Sequence, residues 1–148
     1  MMKSIKTILL VEDNRDDEEL TRLAFEESRL ANALVVVRDG EEALEYLFGS
    51  GRYAGRDLAD MPELILLDLK LPKVDGHEVL QRIRHDPRTK YIPVVVMTTS
   101  REESDLLSSY DLGANSFIQK PVDFVSFIEA VRQVGAYWLV LNANAPRH

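Results

Sequence analysis

Three carboxylates, a threonine pair and an ammonium stand at the ends of four apolar runs. Glu12 and Asp13 close "TILLV", Asp68 closes "LILL", Thr98 and Thr99 follow "PVVVM", and Lys120 follows "SFIQ". Each has an ordinary reading when taken singly. Glu12 and Asp13 cap a following helix, Asp68 caps a turn leading to Pro72, Thr98 is a β-branched strand residue, and Lys120 is a solvated charge. Their conjunction points to chemistry, because four separate runs place them independently. Carboxylates crowded at one point repel one another, and a divalent cation relieves that repulsion. With oxygen donors and neither His nor Cys among them, the set fits Mg²⁺, which takes one or two carboxylates and keeps several waters. A cation beside a carboxylate, with Lys and Thr donors opposite, suits a negatively charged phosphoryl group in transfer. Asp68 is then the oxygen nucleophile.

The residues meet only if the runs are neighbouring strands of one parallel sheet. The sequence supports this. Strand-length runs at 6–11, 33–38, 63–68, 92–98 and 114–120 alternate with helix-length segments at 15–29, 40–48, 75–85, 100–112 and about 123–141. On the first helix, Leu20, Leu23, Ala24 and Phe25 form the expected apolar face, with acids in its first turn. Asp39 with Glu42, and Ser100 with Glu103, have capping-box spacing. The third helix is expected to bury Val79, Leu80 and Ile83. The last carries the stripe Phe124, Phe127, Ile128, Val131, Val134 and Trp138. Five strands alternating with five helices predict an α/β fold, a doubly wound parallel sheet. In such a sheet, ligands bind beyond the C-terminal strand ends where strand order reverses, which is where the acids, threonines and lysine fall. The segment 49–62 is longer than most helix-to-strand connections and is expected at the opposite, N-terminal edge of the sheet.

Composition narrows the function. The 148 residues fit a single domain, 1–148, with 142–148 expected to be a frayed tail. No cysteine is present, which excludes disulfides, thiol nucleophiles and zinc–thiolate sites. A formal charge of −7 argues against nucleic acid as the main partner. No run is long enough to span a membrane, and "MMKSIKTILLVEDN" is too short in its apolar part for a signal peptide, so a soluble, cytoplasmic protein is expected.

The stretches "LLVEDN", "LILLDLKLPKVDG", "IPVVVMTTS" and "FIQKP", in that order and spacing, resemble the receiver domain of two-component response regulators over about residues 6–135. The resemblance implies a flavodoxin-like sheet of order 2-1-3-4-5. It implies Asp68 as phosphoacceptor, Asp13 as a direct Mg²⁺ ligand, Glu12 as a water-mediated one and the Lys70 carbonyl as another ligand. Lys120 and Thr98 would bind the phosphoryl group with help from the Thr99 amide, and Thr98 and Phe117 would form the switch. Phe117 has no hydroxyl where the family often has Tyr, so its movement would be read by packing alone. The long segment before strand three, "VVVMTTS" and "YWL" resemble the stand-alone receivers that partner bacterial phytochrome histidine kinases. Such a protein is a phosphoprotein and not an enzyme, slow self-dephosphorylation aside, and signals by protein contact. An alternative is a phosphorelay intermediate that hands the phosphoryl group to a histidine phosphotransfer protein. A Mg²⁺-dependent aspartyl phosphohydrolase would want a second Asp two residues after the nucleophile, where this chain has Lys70. A flavodoxin-like cofactor binder would want a phosphate-cradling loop after strand one, where "VEDNRDD" repels phosphate. Apolar residues late in the chain (Tyr137, Leu139, Val140) exceed what one helix face buries. They predict a homodimer through the fourth helix, fifth strand and fifth helix.

Overall fold

The computed structural model describes residues 6–28, 32–69, 71–98, 113–119 and 124–135. Five parallel strands, β1 (Lys6–Val11), β2 (Asn32–Val37), β3 (Leu64–Asp68), β4 (Val94–Thr98) and β5 (Ser116–Gln119), form one sheet in the order β2-β1-β3-β4-β5. The described helices are α1 (Arg15–Ser28), α2 (Gly40–Phe48), α3 (Gly76–His85) and α4 (Phe124–Gly135). The order predicted from the sequence is therefore the observed one, with the reversal between β1 and β3. The helix expected at 100–112 and the chain beyond residue 135 lie outside the described residues. So do Trp138 and the 142–148 tail.

Alternation along the strands builds two core layers. Leu9, Val11, Ile65, Leu67, Val94 and Val96 face α2 and α3, where they meet Ala43, Leu47, Val79, Leu80 and Ile83. Ile8, Leu10, Leu64, Leu66, Val95 and Met97 face the other way, toward Ala24 and Phe25 of α1 and Phe127 and Val131 of α4. β3 is buried at every position, as a central strand covered on both faces must be. On α1 Leu20, Ala24 and Phe25 pack as expected, and only Leu23 does not, its place being taken by Thr21. Thr21, Ala24 and Phe25 are buried, and Leu23 is among the exposed large apolar residues. The Thr21 hydroxyl escapes isolation by donating to the Asp17 carbonyl at 2.8 Å.

Local chemistry sets the helix starts. Asp39 caps α2 by accepting from the Glu42 amide at 2.7 Å, and the Glu42 carboxylate reaches back to the Arg38 amide at 3.0 Å. The box expected from Asp39 and Glu42 thus forms, with its return arm one residue earlier than the usual pattern. Asp75 caps α3 through the His77 amide at 2.7 Å.

Residues 49–62 depart in part from expectation. Arg52 and Tyr53 run back along the flank of α2 to its first turn, toward the end that holds the acids, while Arg56 and Leu58 stay beside Tyr46 and Gly49 near the N-terminal edge of the sheet. The Tyr53 hydroxyl donates to Glu42 in the first helical turn at 2.7 Å, and Tyr53 packs edge-on against Tyr46. Arg52 pairs with Glu45 at 2.7 Å, and its guanidinium lies 3.6 Å from Glu41. Arg56 lies over the Tyr46 ring and donates to the Tyr46 and Asp60 carbonyls at 2.7 and 2.8 Å. Burial and the neighbouring Glu42 push the Tyr53 phenol up to about 12, so the hydroxyl stays a donor at neutral pH. The segment is an ordered strap, a consequence of its arginines and tyrosines that length alone did not reveal.

Candidate functional site

The switch in strand order brings the ends of β1 and β3 side by side. Val11 stands opposite Leu67 in the parallel register, so Glu12 and Asp68, the residues that follow them, come side by side at the C-terminal edge of the sheet. Glu12, Asp13 and Asp68 each offer a carboxylate oxygen, and these oxygens all lie within 4.8 Å of one another. Glu12 and Asp68 are buried and Asp13 is exposed. The β1 extension is held on its other side by the Glu12 amide, which donates to the Val37 carbonyl of β2 at 3.0 Å. The Asn14 amide donates to a Glu12 carboxylate oxygen at 3.3 Å.

Asn14 also resolves the ordinary reading of the acids. Its side chain accepts from the Asp17 amide at 2.9 Å and its carbonyl from the Glu18 amide at 3.0 Å, so Asn14 is the cap of α1. Neither Glu12 nor Asp13 is needed for that task. Behind them, Arg38 at the end of β2 forms a forked pair with Glu18 of α1. That guanidinium holds the Glu18 carboxyl below the usual carboxylate range. Sequence reasoning missed this brace, which ties α1 to β2 beside the acidic cluster. Its residues are twenty apart and share no motif.

The donor set fits a hard divalent cation. It consists of carboxylate oxygens with one exposed member through which solvent has access. Thr98 ends β4, and its backbone stands opposite Gln119 of β5, which places the threonine end of β4 at the same edge as Asp68. Phe117 stands opposite Val96. The side chains of Thr98 and Phe117, and all of Lys70, Thr99 and Lys120, lie outside the described residues. The structure thus brings together the three predicted carboxylates and the backbone of the strand that carries Thr98.

A second arrangement, also missed in the sequence, surrounds the loop between β3 and α3. Gly76 donates to the Leu69 carbonyl at 3.0 Å, and Gly40 donates to the Pro72 carbonyl at 3.4 Å. Lys73 takes a left-handed φ of 68° and places its ammonium 3.8 Å from both Asp39 and Glu41. The signal that could have found this was "VDG" beside "RDG": two glycines, each opening a helix after an aspartate cap.

At the N-terminal edge, Arg84 of α3 fills a different need. Its guanidinium donates to the carbonyls of Gly113, Lys90 and Ile92 at 3.0, 3.0 and 2.7 Å and to the Asn115 side chain at 2.7 Å. Asn115 in turn accepts from the Val94 amide at 2.8 Å. Arg84 thus braces the entrances to β4 and β5, which Asn115 and Val94 also join directly.

Comparison with known proteins agrees with this geometry. The family model described as the response regulator receiver domain matches residues 8–132. The solved structure of the phosphorylated cyanobacterial phytochrome response regulator RcpA superposes with a TM-score of 0.84 at 44% identity, over 93% of this chain and 96% of that one. Response regulator Rcp1 of Synechocystis is 40% identical over 134 residues, 90% of this chain and 89% of Rcp1. Its Mn²⁺-bound crystal structure matches with a TM-score of 0.81, over 90% of this chain and 94% of that one. The probable methanogenesis regulatory protein FilR2 of Methanothrix harundinacea is 43% identical over 140 residues, 93% of this chain and 86% of FilR2. Among the described residues, no helix is long and apolar enough to cross a membrane.

Proposed function

The chain belongs to the response regulator receiver domain family, and from that premise we propose that it is switched by transfer of a phosphoryl group from a histidine kinase to Asp68. The observation that carries the assignment is the convergence of Glu12, Asp13 and Asp68 within 4.8 Å at the reversal of strand order. Asp68 is the member of the three that ends the central strand, whose burial holds its carboxylate in a fixed position. A carboxylate oxygen of Asp68 attacks phosphorus, a P–O bond forms, and the P–N bond to the kinase imidazole breaks with its electron pair returning to nitrogen. A divalent cation held by these acids, Mg²⁺ in our reading, would supply charge neutralisation for the transferring group. Asp13 would hold it directly and Glu12 through water, with the Lys70 carbonyl as a further ligand. Lys120, the Thr98 hydroxyl and the Thr99 amide donate to the phosphoryl oxygens, and Thr98 and Phe117 relay the change to the surface. Incubating the whole chain with acetyl phosphate and Mg²⁺ tests the proposal. One phosphoryl group is expected by intact mass, and no gain with the cation present would end it.

The division of labour between the acids has its own test. Asp13 is exposed and Glu12 is buried with an amide on its carboxylate. Asp13→Ala should therefore weaken Mg²⁺ binding, followed by NMR shifts, about tenfold more than Glu12→Ala does. Equal losses in the two variants would contradict the assignment.

The kinase partner we propose is of the phytochrome type, a reading supported by the similarity to RcpA. Output runs through protein contact, and residues 1–148 act as one receiver unit. We also propose a homodimer through the expected fourth helix, β5 and α4. Val125 on α4 leaves 76% of its surface exposed, and the apolar residues Tyr137 and Leu139 follow later in the chain. Removing a few hundred Å² from water at about 25 cal/mol per Å² supplies several kcal/mol before association entropy is subtracted. Light scattering should find a dimer for the wild type and a monomer for Tyr137→Ser/Leu139→Ser. A wild type that is monomeric at high micromolar concentration, phosphorylated or not, would reject it.

A further inference from the structure

We infer that Gly40 is a positioning residue for the strand-end site: the space it leaves at the start of α2 seats the β3–α3 loop, and that seat sets how tightly the acidic cluster holds a divalent cation. The inference rests on the reading of Glu12, Asp13 and Asp68 as a cation site.

Four glycines of the described residues adopt left-handed φ values, and Gly40 is not among them. Its backbone conformation is open to other residues, so the requirement for glycine here is one of space. A Cβ built on Gly40 would lie 1.9 Å from the Val74 carbonyl oxygen, 2.7 Å from its carbonyl carbon and 2.7 Å from its Cβ. Ordinary C···O contacts fall at about 3.3–3.6 Å, so the Val74 carbonyl would have to retreat by more than about 1 Å. This is backbone and cannot swing aside as a side-chain tip does.

The rest of the loop is tied to the same place. The Gly40 amide donates to the Pro72 carbonyl, and Lys73 faces the carboxylates of Asp39 and Glu41, which flank Gly40 in the chain. At the loop's other end, Gly76 closes on Leu69, and a Cβ there would meet the Asp68 carbonyl at 2.4 Å. The loop that leaves Asp68 is thus fixed at its base by its own backbone and at its tip by α2. Displacing the tip strains the turn that closes on Asp68 and Leu69 and so shifts Asp68 relative to Glu12 and Asp13 on β1. Cation affinity is the property that registers such a mismatch.

The test is a Mn²⁺ titration of the full chain, followed by electron paramagnetic resonance, with thermal unfolding measured in parallel. Gly40→Ala should fold and bind Mn²⁺ at least about tenfold more weakly, the scale seen when the outer supports of a metal site are lost. Gly55→Ala, whose added Cβ meets nothing within 4 Å but whose φ of 89° strains an alanine, should lose some stability and still bind as the wild type does. A purely structural role for Gly40 would lower the unfolding temperature and leave the affinity of the folded protein unchanged, and that result would overturn the inference. If Gly40→Ala does not fold, Gly40→Ala/Lys73→Gly decides, because glycine at the left-handed position lets the loop yield. That pair should fold with weakened affinity. Wild-type affinity in the pair overturns the inference, and so does failure of both variants to fold, since glycine would then be a requirement of the core. A wild type that binds no Mn²⁺ refutes the cation-site reading, whereas a wild type that binds and a Gly40→Ala that binds equally well refute only the role of Gly40.

Discussion

Asp68→Asn should take up no phosphoryl group from acetyl phosphate and Mg²⁺ under conditions that label the wild type fully. The amide keeps the shape of the carboxylate but not its nucleophilic oxygen, so the P–O bond has no donor. The fold should survive, because Asp68 ends β3 and the apolar run Leu64–Leu67 supplies the packing. Circular dichroism and unfolding temperature, read beside intact mass, separate loss of chemistry from loss of structure. Stoichiometric labelling of Asp68→Asn at another residue would remove Asp68 from the role proposed for it.

Arg84→Met is the substitution expected to cost most stability. Burial pushes the Arg84 guanidinium down from its usual range, yet it remains a cation that answers three carbonyls and an amide side chain. Hydrogen bonds from a charged donor are each worth about 1.5–3 kcal/mol net, and buried acceptors left unanswered add to the loss. The bonds to Lys90 and Asn115 are exposed and water can replace them, so the two part-buried bonds to Gly113 and Ile92 set the loss at about 3 kcal/mol, which lowers the unfolding temperature by roughly 10 °C in a chain of this size. Arg84→Lys should recover only part of it, since an ammonium cannot reach along the same fork. The affinity of the folded protein for Mg²⁺ should not change, because the clasp lies at the N-terminal ends of β4 and β5 and the acids at the C-terminal ends of β1 and β3. A loss below 1 kcal/mol for Arg84→Met, by denaturant titration, would show that water replaces the guanidinium without cost.

The two residues illustrate what the sequence could and could not disclose. Asp68 was legible because a carboxylate directly after four apolar residues contradicts its neighbours, and contradictions mark sites. The sheet order followed from the family resemblance, and the periodicity of the helices was clear enough to name Val79, Leu80 and Ile83, all of which are buried. Arg84 was not legible. Arg82 and Arg84 look alike on the third helix, and what separates them is a set of carbonyls reached only after β4 and β5 are in place. Leu23 was misread for a related reason, since the direction from which the core approaches α1 is set by α4, about a hundred residues later. The strap at 49–62 failed to show because its partners, Glu42, Glu45 and Tyr46, already had a sufficient role in helix α2.

The register of the central strands has a consequence for how the chain reaches its working form. β1 pairs with β2 nearby in sequence, but Val11 meets Leu67 only after the whole of α1, β2, α2 and the strap has been passed. Pairings between distant parts of the chain form late and slowly. The acids from the two strands therefore become neighbours only in a molecule whose centre has closed. A cation that binds this neighbourhood and not the open chain adds its binding free energy to the native state alone. A copy in which β1 and β3 have not yet met lacks the paired acids on which accepting a signal depends.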